Sequence, residues 1–289
     1  MHTPVLVAEI VRFLNTNRDG IYVDCTLGAG GHALALLEAC AGCRIIGLDV
    51  DPEALSIAKE RLSVYERSGR IKILRESYVN LSSILRSEGI KEVDGILADL
   101  GVSSMHLDNP SRGFSFKEEG PLDMRMDPSS EKTAYDVVNI YSERDLARII
   151  GEYGQERFAR RIAREIVRSR PINTTKDLVD AVSRAIPFSE KRKRKRHFAT
   201  KTFQAVRIEV NNELENIKKL LVQVENALKL GGRVAVISFH SLEDRIVKNH
   251  FRNSRKLKVI TKKPVTPTER EIQINPRSRS AKLRVAERI

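Results

Sequence analysis

The sequence predicts an α/β fold, a doubly wound parallel sheet interrupted by an inserted helical segment. Three observations carry that expectation. Four short apolar runs alternate with helix-periodic segments before Gly101, the rhythm lapses at Asn109, and it resumes at Gln204. Strand, helix, strand at this spacing requires right-handed crossovers and therefore parallel pairing.

Each element has a local reason. Ile21 to Asp24 is a β-rich run that ends at Thr26-Leu27-Gly28-Ala29-Gly30-Gly31. From His32 to Ala41 the apolar spacing turns helical, and Gly42 stops it. Arg44 to Asp49 reads as a second buried strand, and Pro52 opens a helix through Leu62. Ile71 to Leu74 makes a third strand, Leu81 to Glu88 a helix, and Val93 to Asp99 a fourth strand. Asn109 to Pro128 is rich in turn residues, and 131–186 reads as charged helices such as Glu143 to Gly151 and Glu156 to Arg168. A long amphipathic helix is expected over 204–230, ended by Gly231-Gly232, with Arg233 to Phe239 as a fifth strand. Lys256 to Ile260 and Lys282 to Ala286 are expected to close the sheet as edge strands. The resulting division is 1–108 with 206–289 as one domain and 109–205 as an inserted basic helical domain.

Composition narrows the class. With 41% apolar and 31% charged residues over 289 positions, the chain has ordinary globular composition, which excludes wholesale disorder. No apolar run approaches the ~18 residues of a membrane helix. Met1 to Leu14 lacks a basic start and carries Glu9 and Arg12, so it does not read as a signal peptide. Three cysteines cannot all pair internally, which predicts reduced thiols in the cytoplasm. Cys40-x-x-Cys43 lacks two further ligands and reads as packing, and no metal site is expected.

The net charge of +13 is unevenly spread. Residues 1–110 hold 11 basic and 15 acidic side chains, whereas 111–289 hold 40 and 23. A mildly acidic front and a strongly basic remainder predict a small-molecule site beside a polyanion surface. The six consecutive cations Lys191 to Arg196 should repel one another into an extended loop. Arg157, Arg160, Arg161, Arg164 and Arg168 fall on one side of a helix, and with 191–196, Arg277 and Arg279 they are the expected phosphate contacts. Aromatics are few, so Phe114 and Phe116 are the expected base-stacking rings.

Open α/β sheets bind ligands at the carboxyl ends of their strands. Asp24, the glycine loop, Asp49 and Asp99 all fall there. Asp49 follows Gly28 by 21 residues, near the ~20-residue offset of an acid that binds ribose hydroxyls. Gly28 to Ala33 also satisfies the dinucleotide pattern G-x-G-x-x-A, which keeps NAD as an alternative. Flanking carboxylates disfavour a pyrophosphate and suit a ligand with sulfonium and ammonium groups, S-adenosylmethionine.

Longer motifs make the reading specific. His2-Thr3-Pro4-Val5-Leu6, Asp24 to His32, Asp99-Leu100-Gly101-Val102-Ser103-Ser104 and Arg112 to Phe116 belong to one pattern. Pro121 to Asp127, Tyr153 to Phe158, Thr202 to Arg207, Ser238 to Arg245 and Asn275 to Ser280 complete it. The chain resembles the bacterial MraW/RsmH-type enzymes, the 16S ribosomal RNA cytosine-N4 methyltransferases. The resemblance implies a Rossmann-like methyltransferase sheet, S-adenosylmethionine as methyl donor, and a decoding-centre cytidine of 16S rRNA as acceptor. The implied partner is the small ribosomal subunit or a late precursor, with a role in ribosome maturation. The inserted domain would help to recognise it. The same resemblance assigns Gly30, Gly31 and His32 to the cofactor loop, Asp49 to the ribose, and Asp99 to the acid ending strand four. Tyr78 stands where relatives usually carry Phe and would pack on adenine; His106 stands where they often carry Gln. No membrane contact is expected, and the oligomeric state stays open, a homodimer included.

The exocyclic amine of cytosine is a poor nucleophile, because its lone pair is delocalised into the ring. Its methylation needs in-line placement and acceptors for the amine hydrogens, and no cysteine adduct. Asp99, Ser103 and Ser104 are the expected catalytic residues, with Asp99 equally readable as cofactor-binding only. His240, Asp244 and Arg245 read either as a target contact or as a charged turn capped by Ser241. Asp123 and Arg125 read either as a target pocket or as a structural ion pair.

Overall fold

The computed structural model describes residues 4–289, so His2 and Thr3 of the amino-terminal motif lie outside the described residues. The chain forms two units, Met1–Gly101 with Leu214–Ile289, and Val102–Glu213.

The first unit is built on seven strands: β1 (Ile21–Asp24), β2 (Arg44–Asp49), β3 (Ile71–Arg75), β4 (Val93–Asp99), β5 (Leu228–Ser238), β6 (Leu257–Val259) and β7 (Lys282–Arg288). Their order is β3-β2-β1-β4-β5-β7-β6. β3 through β5 pair in parallel, whereas β7 lies antiparallel between β5 and β6. The sheet is therefore not all-parallel, and β6 alone of the two final strands is an edge. Between β6 and β7 the chain forms the six-residue helix Glu269–Ile274 and a 3-10 turn, and it then returns antiparallel between β5 and β6.

The pleat sends alternate residues to opposite faces. Tyr22, Ile45, Leu97 and Ala235 pack with Ile10 and Leu14, Ala33 and Leu37, and Leu55 and Leu62 from the helices Val7–Leu14, Gly31–Ala39 and Pro52–Arg67. Val23, Ile46, Ile96 and Val234 face the other way, onto helices Leu81–Ser87, Glu213–Ala227 and Ser241–Asn253. Sheet order and two helical layers make this a Rossmann-like doubly wound fold. Gly231 and Gly232 do not end the preceding helix; they lie inside β5. The helix stops at Ala227, and the register passes from Val93↔Leu228 to Gly95↔Arg233, with Gly231 at φ 77° within the bulge.

The second unit is helical, with Ala134–Ile140, Glu143–Glu152, Ala159–Arg168, Thr175–Ala185 and Thr200–Asn211 around one core that includes Val137, Ile149, Ile162, Val182 and Val206. Thr133 with Asp136 and Thr174 with Asp177 form reciprocal capping boxes that start two of these helices. The expected single helix over 204–230 is two. Asn212 adopts φ 51°, a left-handed conformation that Asn tolerates, and Glu213 starts the next helix. The unit borders differ from the expected 108/109 and 205/206 because Val102, Leu107, Val206 and Val210 all pack with the helical core. Among the described residues, no helix is long and apolar enough to cross a membrane.

Candidate functional site

The strand order reverses between β1 and β4, where β1 leads to β2 and β3 on one side and β4 to β5 on the other. A crevice at the carboxyl ends of such strands is the expected ligand position. Asp24 ends β1 and is 1% exposed. Its Oδ1 accepts the Thr26 N–H at 3.1 Å, while its Oδ2 is buried with no hydrogen-bond partner. Burial, followed by the charge of Asp49, pushes its carboxyl up to about 7.

Asp99 ends β4 in the same manner. Its N–H donates to Thr26 Oγ1 at 2.6 Å, and its Oδ1 is buried without a partner. Burial first, then Asp24 and Glu243, raise this carboxyl to about 8. Its Oδ2 lies 3.9 Å from His32 Nδ1, and the side chain keeps 20% exposure. His32 Nε2 stands 2.8 Å from the Val5 carbonyl. A carbonyl only accepts, so Nε2 carries a proton, and Nδ1 is the ring nitrogen turned toward Asp99.

Asp49 ends β2 and holds the glycine loop. Its Oδ2 accepts the Gly28 N–H at 2.7 Å and its Oδ1 accepts the Asp51 N–H at 3.0 Å. Gly30 takes φ 78°, and a Cβ there would stand 2.7 Å from Leu62 Cδ1; a Cβ on Gly31 would stand 2.8 Å from Pro4 Cγ. These glycines therefore let the loop bend and close onto its neighbours. Tyr78 sits just past β3, in the 3-10 turn Tyr78–Asn80. Glu243 is fully buried and accepts the N–H groups of Phe239 and His240 at 2.8 and 3.2 Å. The strand ends thus gather Asp24, Asp49 and Asp99 beside a helix start, and two buried carboxylate oxygens there lack a donor.

The sequence model of the MraW methylase family matches residues 1–289. The chain belongs to that family. Ribosomal RNA small subunit methyltransferase H of Thermotoga neapolitana is 57% identical over 288 residues, covering 99% of this chain and 95% of the relative. Its namesake from Pseudothermotoga lettingae is 53% identical over 289 residues, covering 100% and 99%. A solved rRNA methylase from Streptococcus thermophilus shares 12% identity at a TM-score of 0.46, covering 98% of this chain and 93% of that one, too distant to carry an argument. The methyl donor of this MraW methylase is S-adenosylmethionine. The residues fit it: the partnerless oxygens of Asp24 and Asp99 suit cationic groups and would repel the pyrophosphate of NAD.

The remaining expected site residues of this methylase lie in the helical unit. Ser103 caps the helix Ser104–Asp108: its Oγ accepts the His106 N–H, and His106 Nδ1 accepts the Ser103 N–H, both at 3.3 Å. Ser104 is the first residue of that helix. The buried His106 ring stacks on Phe114 at 4.8 Å, so Phe114 is core and not a free stacking ring. Phe116 is likewise engaged, on His197 at 4.5 Å and Phe203 at 5.1 Å.

Several of the residues left open have structural partners. Arg125 forms a bidentate pair with Asp123 and donates to the Pro128 and Ser130 carbonyls, which ties one turn together. Asp244 pairs with Arg284 at 2.6 Å and Lys282 at 3.6 Å, and Arg245 is exposed. His240, not Ser241, caps the helix Ser241–Asn253, in a box closed by Glu243. A Glu three residues beyond the cap was the available signal for that buried acid. Thr26, which holds the Asp99 backbone, had no comparable signal. Cys25, Cys40 and Cys43 are all buried free thiols, and Cys40 Sγ lies 2.8 Å from the Arg18 carbonyl.

The run 191–196 is not an extended loop. Lys191 and Arg192 belong to the helix Phe188–Arg192; Lys191 donates to Ser183 Oγ at 2.6 Å, and Arg194 forks onto the buried Glu156 at 2.7 and 2.9 Å. Neutralising partners overcome the repulsion that charge alone predicts. Arg157 pairs with Glu190 and Arg164 with Glu143, whereas Arg160, Arg161 and Arg168 are exposed. The helical unit carries 22 basic and 17 acidic residues, but 214–289 carries 18 and 7, so the larger excess lies in the carboxy-terminal part of the sheet unit.

Proposed function

We propose that the chain methylates the exocyclic N4 amine of a cytidine in the decoding centre of 16S rRNA, within the small ribosomal subunit or a late precursor. The observation that carries this reading is the pair of buried, partnerless carboxylate oxygens on Asp24 and Asp99 at the reversal of strand order. The names of the relatives, small-subunit rRNA methyltransferases, support the substrate class.

When bound, S-adenosylmethionine supplies a methyl group on a sulfonium, an electrophile that needs no acid to activate it. The chain's own residues bind and orient. Asp49 accepts from the ribose hydroxyls while bracing the loop through Gly28. Tyr78 covers the adenine, the loop Gly30-Gly31-His32 lines the cofactor, and Asp24 and Asp99 neutralise its positive end. Asp99 is also the acceptor for an amine hydrogen, which enriches the nitrogen lone pair. His32, clamped by the Val5 carbonyl, holds its Nδ1 edge beside Asp99. Ser103 and Ser104 enter this reading through the Asp99 to Ser104 motif, and His106 through its place at a position where relatives often carry Gln.

Incubation with isotopically labelled methyl donor and undermethylated small subunits, followed by nucleoside mass analysis, tests the reading. N4-methylcytidine at one position is expected; label on carbon-5, on another base or on no nucleoside sinks it. Single-turnover methylation by Asp99→Asn, with donor affinity measured separately, tests the amine contact. Lost affinity with an intact chemical step would leave Asp99 as cofactor-binding only.

A further inference from the structure

Phe114 and Phe116 are packed inside the helical unit, which leaves Phe188, at 73% exposure, as the most open aromatic ring among the described residues. Its position is held by its neighbours. Pro187 precedes it, and the Pro187 carbonyl accepts the N–H groups of Glu190 and Lys191. Lys191 is anchored on Ser183 and Arg194 on Glu156, so the backbone that carries the ring is tied to the helical unit. The Arg192 guanidinium stands 5.9 Å from the ring centroid, and Lys193, Lys195 and Arg196 are exposed beside it.

We propose that Phe188 stacks on an unpaired base of an RNA strand whose flanking phosphates are met by Arg192 and Lys195. The inference rests on the RNA-methylating reading above and adds a binding site to it. Charge complementarity selects the occupant: six cations follow the ring within eight positions, of which Arg194 is neutralised by Glu156, and the one acid in that run, Glu190, pairs with both Arg157 and Lys193. An apolar partner surface would have to desolvate those cations, whereas a nucleotide offers each group its match, a π-face for the ring and phosphate for the charges. Such stacking accepts any base, so the site would grip rather than read sequence.

The test is equilibrium binding of a single-stranded, cytidine-containing RNA oligonucleotide to the full chain across a salt series. Phe188→Ala is expected to lose about tenfold in affinity with an unchanged salt slope. Arg192→Gln and Lys195→Gln should each flatten the slope by about 0.7. The chain has no Trp, so Phe188→Trp introduces a lone indole whose emission should be quenched as RNA binds, with affinity retained. Wild-type affinity in Phe188→Ala, or indole emission unmoved by saturating RNA, overturns the inference while leaving RNA binding in place. Self-association abolished by Phe188→Ala with RNA affinity intact also overturns it, in favour of a protein contact. A wild-type chain that does not bind the oligonucleotide overturns this inference, while the methylation reading stands or falls separately on the nucleoside analysis of small subunits.

Discussion

Asp24 and Asp99 close adjacent parallel strands, and each keeps one buried carboxylate oxygen that no donor among the described residues meets. Their carboxyls are raised from 3.8 to about 7 and about 8. A cationic ligand favours the anions, so donor affinity should rise by about tenfold between pH 6 and pH 8.5, with protons released on binding. Titration calorimetry in two buffers of different ionisation enthalpy reads both quantities. Affinity independent of pH, with no proton release, would refute the coupling.

The same shifts set the stability of the ligand-free chain with the opposite sign. A folded-state pKa above the unfolded one means that the folded chain holds more protons between about 4 and 8. The contribution is full below about 4 and is lost as pH rises through the folded values. Asp99→Asn removes one uncompensated charge. It should stabilise the ligand-free chain at pH 8.5 by on the order of 2 kcal/mol and flatten its melting temperature against pH, while weakening donor binding.

How much of this was legible in sequence varies with the range of the interaction. The apolar residues Val93 and Ile96 to Ala98, bounded by Asp99, are a local signal that places β4 over Val93 to Asp99, the span it occupies. Asp24, Asp49 and Asp99 were placed at strand ends by the same local reading. β7 lies inside the sheet and not at the edge the sequence predicts, because pairing partners are set by the path of 260–281, which no periodicity encodes. Sequence alone places Arg194 and Phe114 facing solvent or ligand, because their partners, Glu156 and His106, come together only once the helices pack.

Asp49 joins structure to binding. Asp49→Ala strips acceptors from the Gly28 and Asp51 N–H groups and should destabilise the fold by about 1–2 kcal/mol. Donor affinity should fall at least about tenfold, since the ribose acceptor goes with it. Asp49→Asn keeps one acceptor oxygen and should recover more stability than affinity. Thermal melts and calorimetry on both variants separate the two effects; parallel recovery would argue against a ribose contact.

Gly30 and Gly89 share a positive φ, 78° and 68°, but differ in surroundings: a Cβ meets Leu62 at 2.7 Å in the first and nothing within 4 Å in the second. Gly89→Ala should therefore cost about 1 kcal/mol, the strain of the left-handed backbone alone. Gly30→Ala should cost about 3 kcal/mol, because the packed Leu62 must also shift. Equal costs by denaturant unfolding would show that the loop can move away from the helix Pro52–Arg67.

Glu156 and Arg194 test whether the cationic run is structural in part. The Glu156 carboxylate is fully buried, Arg194 is 18% exposed, and two hydrogen bonds join them. Burial opposes ionisation of Glu156, but the hydrogen bonds from Arg194 and the Phe158 N–H, with the charges of Arg194 and Lys201, outweigh it and hold the carboxyl below its ordinary value. A depressed folded-state pKa contributes stability above the unfolded value of 4.5 and loses it as pH falls through the folded one. Arg194→Ala leaves the carboxylate buried and uncompensated, which should cost about 3–5 kcal/mol near neutral pH and less in acid, where Glu156 takes up a proton. The double variant Glu156→Leu with Arg194→Met removes both charges and should recover most of the loss. Additive single-variant costs in that cycle would mean that the pair is not coupled, and Arg194 would return to the set of cations available to RNA.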